Sequence, residues 1–211
     1  MPKTEPFDRY SEAYDEWFER HADFYRAELE AIRRLLPPAG RGLEVGVGSG
    51  KFAAPLGIPI GVEPSESMAA KARAQGIDVR LGVAEALPFE DGRFDLVLMV
   101  TTICFVDDLP ESFREAFRVL APGGSLVLGF VERDSALGRR YESERAASRF
   151  YRDAVFVSAR EVLELLARAN FSIARIAQTL IPGEPPGTIL DGFGRGAFVV
   201  IKATKTGATR A

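Results

Sequence analysis

Between Phe7 and Leu36 the apolar and aromatic positions are Phe7, Tyr10, Tyr14, Trp17, Phe18, His21, Phe24, Tyr25, Leu29, Ile32 and Leu36. Steps of three and four residues draw one helical face, with Glu and Arg opposite. Pro37-Pro38-Ala39-Gly40 ends the helical region. From Gly42 the period changes. Gly42–Val45 reads as a strand, followed by a short helix opening at Lys51 that Pro55, Gly57 and Pro59 keep brief. Ile58–Val62 reads as a second strand ending at Glu63, Met68–Ala74 as a helix stopped by Gly76, and Val79–Val83 as a third strand.

Phe94–Val100 is a nearly continuous apolar run, the mark of a strand covered on both faces. Leu109–Leu120 carries Phe113, Ala116, Phe117 and Leu120 on one helical side, and Pro122-Gly123-Gly124 turns into an apolar strand, Ser125–Val131. Alternating strands and helices predict an α/β fold with a parallel sheet and right-handed crossovers. After Glu132 the chain becomes rich in arginine and glutamate up to Phe150. Ser158 is a good N-cap for a helix reaching about Ala169, with Glu161 placed to close a capping box. Phe171–Leu180 and Ala197–Ala203 read as strands joined by a Gly/Pro-rich loop, and Thr204–Ala211 as a frayed tail. The expected layout is one domain: a helical cap over residues 1–38, a core over 41–131, an insertion over 132–157, and a closing helix and strands over 158–204.

Composition narrows the classes of function. The 211 residues are 46% hydrophobic and 27% charged, enough for one sizeable core. A net charge of −3 recruits no nucleic acid through a global field. Arg133–Arg152 holds six arginines, nearly balanced by the five acids Glu132, Asp134, Glu142, Glu144 and Asp153 in and beside it, which reads as a solvated helical face. Cys104 is the one cysteine, so no intramolecular disulfide forms and a reducing, cytoplasmic setting is expected. The N-terminus lacks the apolar core of a signal peptide, and no apolar run approaches the roughly 20 residues of a membrane span. No membrane partner and no metal centre are expected; a monomer or a homodimer fits equally.

The chemistry gathers at Leu43-Glu44-Val45-Gly46-Val47-Gly48-Ser49-Gly50. Glycines there let the backbone turn tightly and let a ligand approach the main chain. Dinucleotide sites use Gly-x-Gly-x-x-Gly, but here the third glycine comes one residue early, at Gly50, and the dinucleotide position is Lys51. The later segments Gly61-Val-Glu-Pro-Ser, Ala84-Glu-Ala-Leu-Pro-Phe, Phe94-Asp-Leu-Val-Leu-Met and Leu120-Ala-Pro-Gly-Gly follow in order. With these motifs the chain resembles the class I S-adenosylmethionine-dependent methyltransferases from Leu43 to Phe130, closest to small metabolite-type enzymes. The resemblance implies a Rossmann-like three-layer sandwich, its seven-stranded, mostly parallel sheet closed by an antiparallel last strand. It also implies S-adenosyl-L-methionine as cofactor, S-adenosyl-L-homocysteine as product and a small-molecule acceptor. Methylation of RNA or protein, or a module that binds the cofactor without turnover, stays open beside it.

Each motif has its own chemistry. Glu63, at the tip of the second strand, can accept hydrogen bonds from ribose hydroxyls, as the family's acidic residue does. Pro64 and Ser65 shape the adjoining turn, and Met68 can lie along an adenine. Glu44 resembles the family acid that orders the glycine loop beside Gly46, Gly48 and Gly50. Ala84, Glu85 and Ala86 occupy the adenine-edge position, although Val83 replaces the aspartate usual just before the alanine. Thr101 and Thr102 stand at the carboxyl end of the buried strand, the ligand side of an open parallel sheet.

Methyl transfer from a sulfonium needs chiefly proximity and alignment, and a general base only where the nucleophile arrives protonated. His21, the single histidine, reads either as a packing residue or as such a base. Tyr14 reads as a cofactor or methyl-group contact by analogy with N-terminal tyrosines of similar enzymes. Tyr10, Trp17, Phe105, Arg139, Tyr141 and Phe193 are the candidate substrate contacts. Cys104 reads as a small apolar filler rather than a nucleophile.

Overall fold

The computed structural model describes residues 3–38 and 40–206. Strands β1 (Gly42–Val45), β2 (Ile60–Glu63), β3 (Asp78–Leu81), β4 (Phe94–Val100) and β5 (Leu120–Val131) pair in parallel, and β6 (Phe171–Thr179), β7 (Leu190–Asp191) and β8 (Phe198–Lys205) complete the sheet. The strand order is β3-β2-β1-β4-β5-β8-β6-β7. β8 runs antiparallel between β5 and β6, the closing arrangement expected of the last strand. The sheet has eight strands rather than seven, because the Gly/Pro-rich loop contributes the two-residue β7 on the outer edge of β6.

Helices cover both faces. Phe113, Ala116 and Val119 of α6 (Leu109–Val119) and Val162 and Leu166 of α8 (Ala159–Arg168) pack on one side of β1, β4 and β5. On the other side lie Ala31, Ile32 and Leu35 of α3 (Ala22–Leu35) with Ala69 and Ala72 of α5 (Glu66–Ala74). The helix ends follow their caps. Asp108 accepts from Glu111 N–H with Pro110 in the first turn, and Ser158 and Glu161 form the full capping box. Gly57, with φ of +69°, stops α4 (Ala53–Leu56) after one turn, as the flanking prolines imply.

Two differences from the sequence pattern bear on the site. The N-terminal helical face is broken into α1 (Glu5–Arg9), α2 (Ser11–Arg20) and α3, with non-helical hinges at Tyr10 and His21. At the second hinge the Trp17 carbonyl accepts both the His21 backbone N–H and a contact from its Nδ1, each at 2.9 Å, closing α2 locally. The breaks let α1 and α2 fold across the carboxyl ends of the strands. β3 also ends at Leu81 instead of Val83, which frees Gly82–Glu85 from the sheet. Beyond β5, α7 (Ala136–Glu144) is N-capped by Ser135 and runs into a 3-10 turn, Arg145–Ala147. Among the described residues no helix is long and apolar enough to cross a membrane. The tail expected from Thr204 is strand as far as Lys205, and residues 207–211 lie outside the described ones.

Candidate active site

A cavity of about 430 Å³ opens at the carboxyl ends of β1, β2 and β4, roofed by the N-terminal helices and by the segment after α7. The glycine turn forms its floor. Gly46 and Val47 donate backbone N–H to Val62 O at 2.8 and 3.1 Å, folding the turn back on β2. Gly46 has φ of +69°, and a Cβ there would stand 2.5 Å from Thr102 Cγ2, so only glycine fits. Gly50 serves packing: its Cβ would meet Ile77 Cδ1 at 2.8 Å, and it does not line the cavity.

Glu63 stands at the mouth of β2. Gly48 N–H donates to its Oε2 at 2.9 Å and Ser65 N–H to its Oε1 at 3.0 Å, which leaves a further lone pair on each oxygen. Burial pushes its carboxyl up to about 7 despite both hydrogen bonds. Glu44, 1% exposed, lies under the turn, and its Oε2 is buried with no hydrogen-bond partner among the described residues. Burial, with the Glu63 charge adding to it, holds this carboxyl well above its ordinary range. Tyr14 approaches from α2, its hydroxyl oxygen 3.4 Å from where a Gly48 Cβ would stand. Burial and the charges of Glu63 and Glu44 raise its pKa, so it remains a neutral phenol and a hydrogen-bond donor.

Thr101 and Thr102 end β4. Thr101 adopts φ of +53°, strained for a β-branched residue, and turns the chain into the cavity wall. The Thr102 hydroxyl lies 3.1 Å from both Val45 O and Val100 O, joining the ends of β1 and β4. The freed Gly82–Glu85 segment makes the opposite wall, and Glu85 Oε1 accepts N–H from Asp107 and Asp108 at 2.6 and 3.1 Å.

Among the residues expected at the site, the cavity also gathers Pro64, Met68, Ala84, Trp17, Phe105 and Tyr141. Others stand apart from it. Ser65 is buried as the N-cap of α5, Ala86 is exposed, and Tyr10 lies under the Arg149 guanidinium, 4.5 Å from its ring centroid. Arg139 is exposed and donates to Asp134 O, and Phe193 is exposed on the loop beyond β7. His21 does not line the cavity either. It is exposed, its ring stacked on Trp17 at a centroid distance of 4.6 Å. Cys104 is buried, and burial pushes its thiol up to about 12, so no thiolate forms.

Residues 43–128 match a family model described as a methyltransferase domain. A crystal structure from Thermotoga maritima, described as a SAM-dependent methyltransferase, "possible histamine N-methyltransferase", is 47% identical and superposes with a TM-score of 0.92 over 96% of this chain and all of that one. The chain belongs to the class I S-adenosylmethionine-dependent methyltransferases. A Methanocaldococcus jannaschii protein of no described activity is 43% identical over 94% of this chain and 98% of its own length. A demethylmenaquinone methyltransferase from Symbiobacterium thermophilum is 30% identical over 77% of this chain and 67% of its own.

The donor set suits the methyltransferase cofactor. S-adenosylmethionine is a cation with a ribose diol, and among the described residues the cavity wall carries more carboxylates, Glu63 and Glu85 among them, than cations. Glu63 has lone pairs to spare for a diol, whereas Glu44, with its orphaned Oε2, lies beneath the glycine turn and does not itself line the cavity.

Several residues of this methyltransferase were not visible as functional in the sequence. Asp15 of α2 accepts from Ser49 Oγ at 2.6 Å and from Lys71 Nζ at 2.8 Å, and pairs with Lys51 at 3.4 Å, tying the roof to the glycine turn. Asp8 of α1 accepts from Ser65 Oγ at 2.5 Å. Phe7, Phe150 and Tyr151 close the cavity, with Phe7 5.2 Å from Phe105 and 5.7 Å from Phe150 between ring centroids. Glu28 is buried in the cavity wall. Its one sequence signal is a charge at the four-residue step between Phe24 and Ile32, in the middle of an apolar stripe.

Proposed function

We propose that the chain transfers a methyl group from S-adenosylmethionine to a small-molecule acceptor by in-line displacement. The observation that carries this reading is one enclosed cavity with two chemically different walls. Gly46, Gly48, Glu63, Met68 and Ala84 form a polar, glycine-lined wall, while Trp17, Phe105, Tyr141, Phe150 and Tyr151 form an aromatic chamber. A folded protein or structured RNA does not fit inside about 430 Å³.

In this reading Glu63 takes the ribose hydroxyls, Met68 and Ala84 border the adenine, and Glu44 and Tyr14 serve the methionine end. Thr101 and Thr102 bound the space where the methyl group meets the acceptor. When bound, the cofactor supplies an already activated electrophile, so the protein's part is to align the two and exclude water. Alignment of this kind lowers barriers by several kcal/mol. The buried Cys104 takes no covalent part, and a lone cysteine suits a cytoplasmic setting.

The test is release of S-adenosylhomocysteine from purified protein incubated with S-adenosylmethionine and a panel of metabolites, with amines, phenols, thiols and quinols as separate arms. The description of the Thermotoga relative places amines first in the order of testing. Turnover with at least one arm is the expected result. Cofactor binding by calorimetry without turnover across every arm points instead to a binding module.

A further inference from the structure

Of the carboxylates on the cavity wall, Glu28 is the one without a structural task among the described residues. Glu63 holds the N–H groups of Gly48 and Ser65, and Glu85 holds those of Asp107 and Asp108. Asp107 has the positive field of Lys3 beside it. Glu28 is 7% exposed, lines the cavity, and makes no hydrogen bond or ion pair among the described residues. It projects from α3 on the face that buries Ala27, Ala31, Ile32 and Leu35. That apolar face calls for no charge at this position, and an unpaired carboxylate in such surroundings is destabilising.

The neighbours of Glu28 narrow what its partner is. Tyr14, Tyr141 and Tyr151 line the same cavity as Glu28, and its charge helps to raise the pKa of each phenol. Tyr141 and Tyr151 stack with centroids 5.1 Å apart, and Trp17 and Leu137 line the same chamber. A carboxyl group beside aromatic faces is the arrangement that binds an organic cation, whose charge favours the ionised carboxylate while the rings add cation–π attraction.

We propose that Glu28 is the acceptor-recognition residue, receiving the ammonium group of a hydrophobic primary or secondary amine and accepting its proton before methyl transfer. This rests on the methyltransferase reading above and makes the enzyme an N-methyltransferase. The Glu28 carboxylate takes one proton from R–NH3+, giving R–NH2 and a neutral carboxyl. The freed nitrogen lone pair forms the N–CH3 bond as the methyl–sulfur bond breaks and its electron pair passes to sulfur. The products are R–NH2CH3+ and the thioether, and the proton on Glu28 passes to water as they leave. Burial supports the step: it pushes the empty-site Glu28 carboxyl up to about 8, which narrows its gap to an alkylammonium near 10.

The test uses the single tryptophan, Trp17, which lies in the chamber and reports binding by its fluorescence. Full-length protein saturated with S-adenosylhomocysteine is titrated with a series of arylalkyl and alkyl primary amines and with the alcohols of the same shape. Wild type is expected to bind at least one amine, and to bind it roughly tenfold or more tighter than its alcohol. Glu28→Gln should lose that preference and most of the amine turnover. Glu28→Asp, which keeps the charge, should retain the preference at reduced turnover. Calorimetry with S-adenosylmethionine should give both variants a cofactor Kd within about threefold of wild type, which separates loss of recognition from loss of fold. Amine binding unchanged in Glu28→Gln, no amine binding by wild type, or turnover restricted to alcohols, phenols or thiols overturns the role of Glu28. Such turnover would leave the methyltransferase reading standing, whereas failure of wild type to bind S-adenosylmethionine would overturn both.

Discussion

At the scale of single residues, the site sets buried ionisable groups in the cavity wall and leaves them bonding capacity for incoming ligands. Glu63 is the plainest case, with two backbone N–H groups fixing its oxygens for further donors. Glu63→Gln keeps the shape but replaces one acceptor oxygen with a donor amide. It is expected to raise the S-adenosylmethionine Kd by roughly tenfold to a hundredfold, about 1.4–3 kcal/mol, measured by calorimetry. An unchanged Kd would remove Glu63 from the cofactor site. Gly46→Ala tests the floor: both its φ of +69° and the 2.5 Å approach to Thr102 oppose a methyl group. It should lower stability by about 1–3 kcal/mol in denaturant unfolding and weaken cofactor binding with it.

The same buried acids make the cofactor-free protein sensitive to pH. Glu28 titrates near 8 when folded against an ordinary 4.5, so the folded state holds its proton more tightly than the unfolded chain does. Its contribution to stability is complete below 4.5 and is lost as the pH rises through 8. Glu63, raised to about 7, and Glu44 act in the same direction. The Tm of the cofactor-free protein should therefore fall from mildly acidic to mildly alkaline pH. Glu28→Gln should flatten that fall by up to about 1.4 kcal/mol per pH unit. A parallel wild-type and Glu28→Gln profile would mean that the Glu28 carboxylate is solvated rather than buried.

At the scale of elements, polar bonds tie the roof to the glycine turn and to α5, beside the packing of Phe18 of α2 into the core. Asp15 joins α2 to Ser49, Lys51 and Lys71, and the three charged side chains are about a quarter exposed, which limits each ion pair to a fraction of a kcal/mol. Asp15→Ala should accordingly cost little global stability, about 1 kcal/mol or less. It should nevertheless speed amide exchange across residues 5–20 and weaken cofactor retention several-fold, read by hydrogen-exchange mass spectrometry and calorimetry. Exchange unchanged in α1 and α2 would show that their aromatic contacts alone hold them. This division also explains what the sequence made legible. The parallel core was readable because Phe94–Val100 and Ser125–Val131 carry continuous apolar runs, and the capping box at Ser158 marked α8 unambiguously. The Glu44–Gly50 turn and Glu63 were readable because strand ends and glycines fix their own geometry. The roof was not, since its anchors pair Asp8 with Ser65 and Asp15 with Lys71 across more than fifty residues, and no local period records such contacts. His21 shared the spacing of the aromatic face, but the hinge at that residue turns its ring to solvent.

At the scale of the whole molecule, residues from distant parts of the chain must meet before the cavity exists. Phe7 comes from α1, Phe105 from the loop after β4, and Phe150 from the segment following the 3-10 turn, yet Phe7 contacts both of the other rings. Tyr14 adds a fourth ring, 5.9 Å from Phe150. None of these four rings is among the fully buried side chains of the core, although Tyr14 and Phe105 pack against it. The cluster should therefore govern how long ligands stay more than whether the chain folds. A double-mutant cycle on Phe7→Ala and Phe150→Ala isolates the contact between the two ends of the roof. Each single variant should lower Tm only slightly and raise the dissociation rate of S-adenosylhomocysteine, measured by stopped-flow through Trp17. The coupling between them in ligand affinity should be about 0.5–1.5 kcal/mol, the usual worth of an aromatic pair beyond its buried area. Because closure acts on dissociation, the coupling should sit in the off-rate, with association changing by less than about threefold. Additive single-variant effects would show that α1 and the segment after α7 close over the ligand independently, and the chamber would then be two flaps rather than one lid.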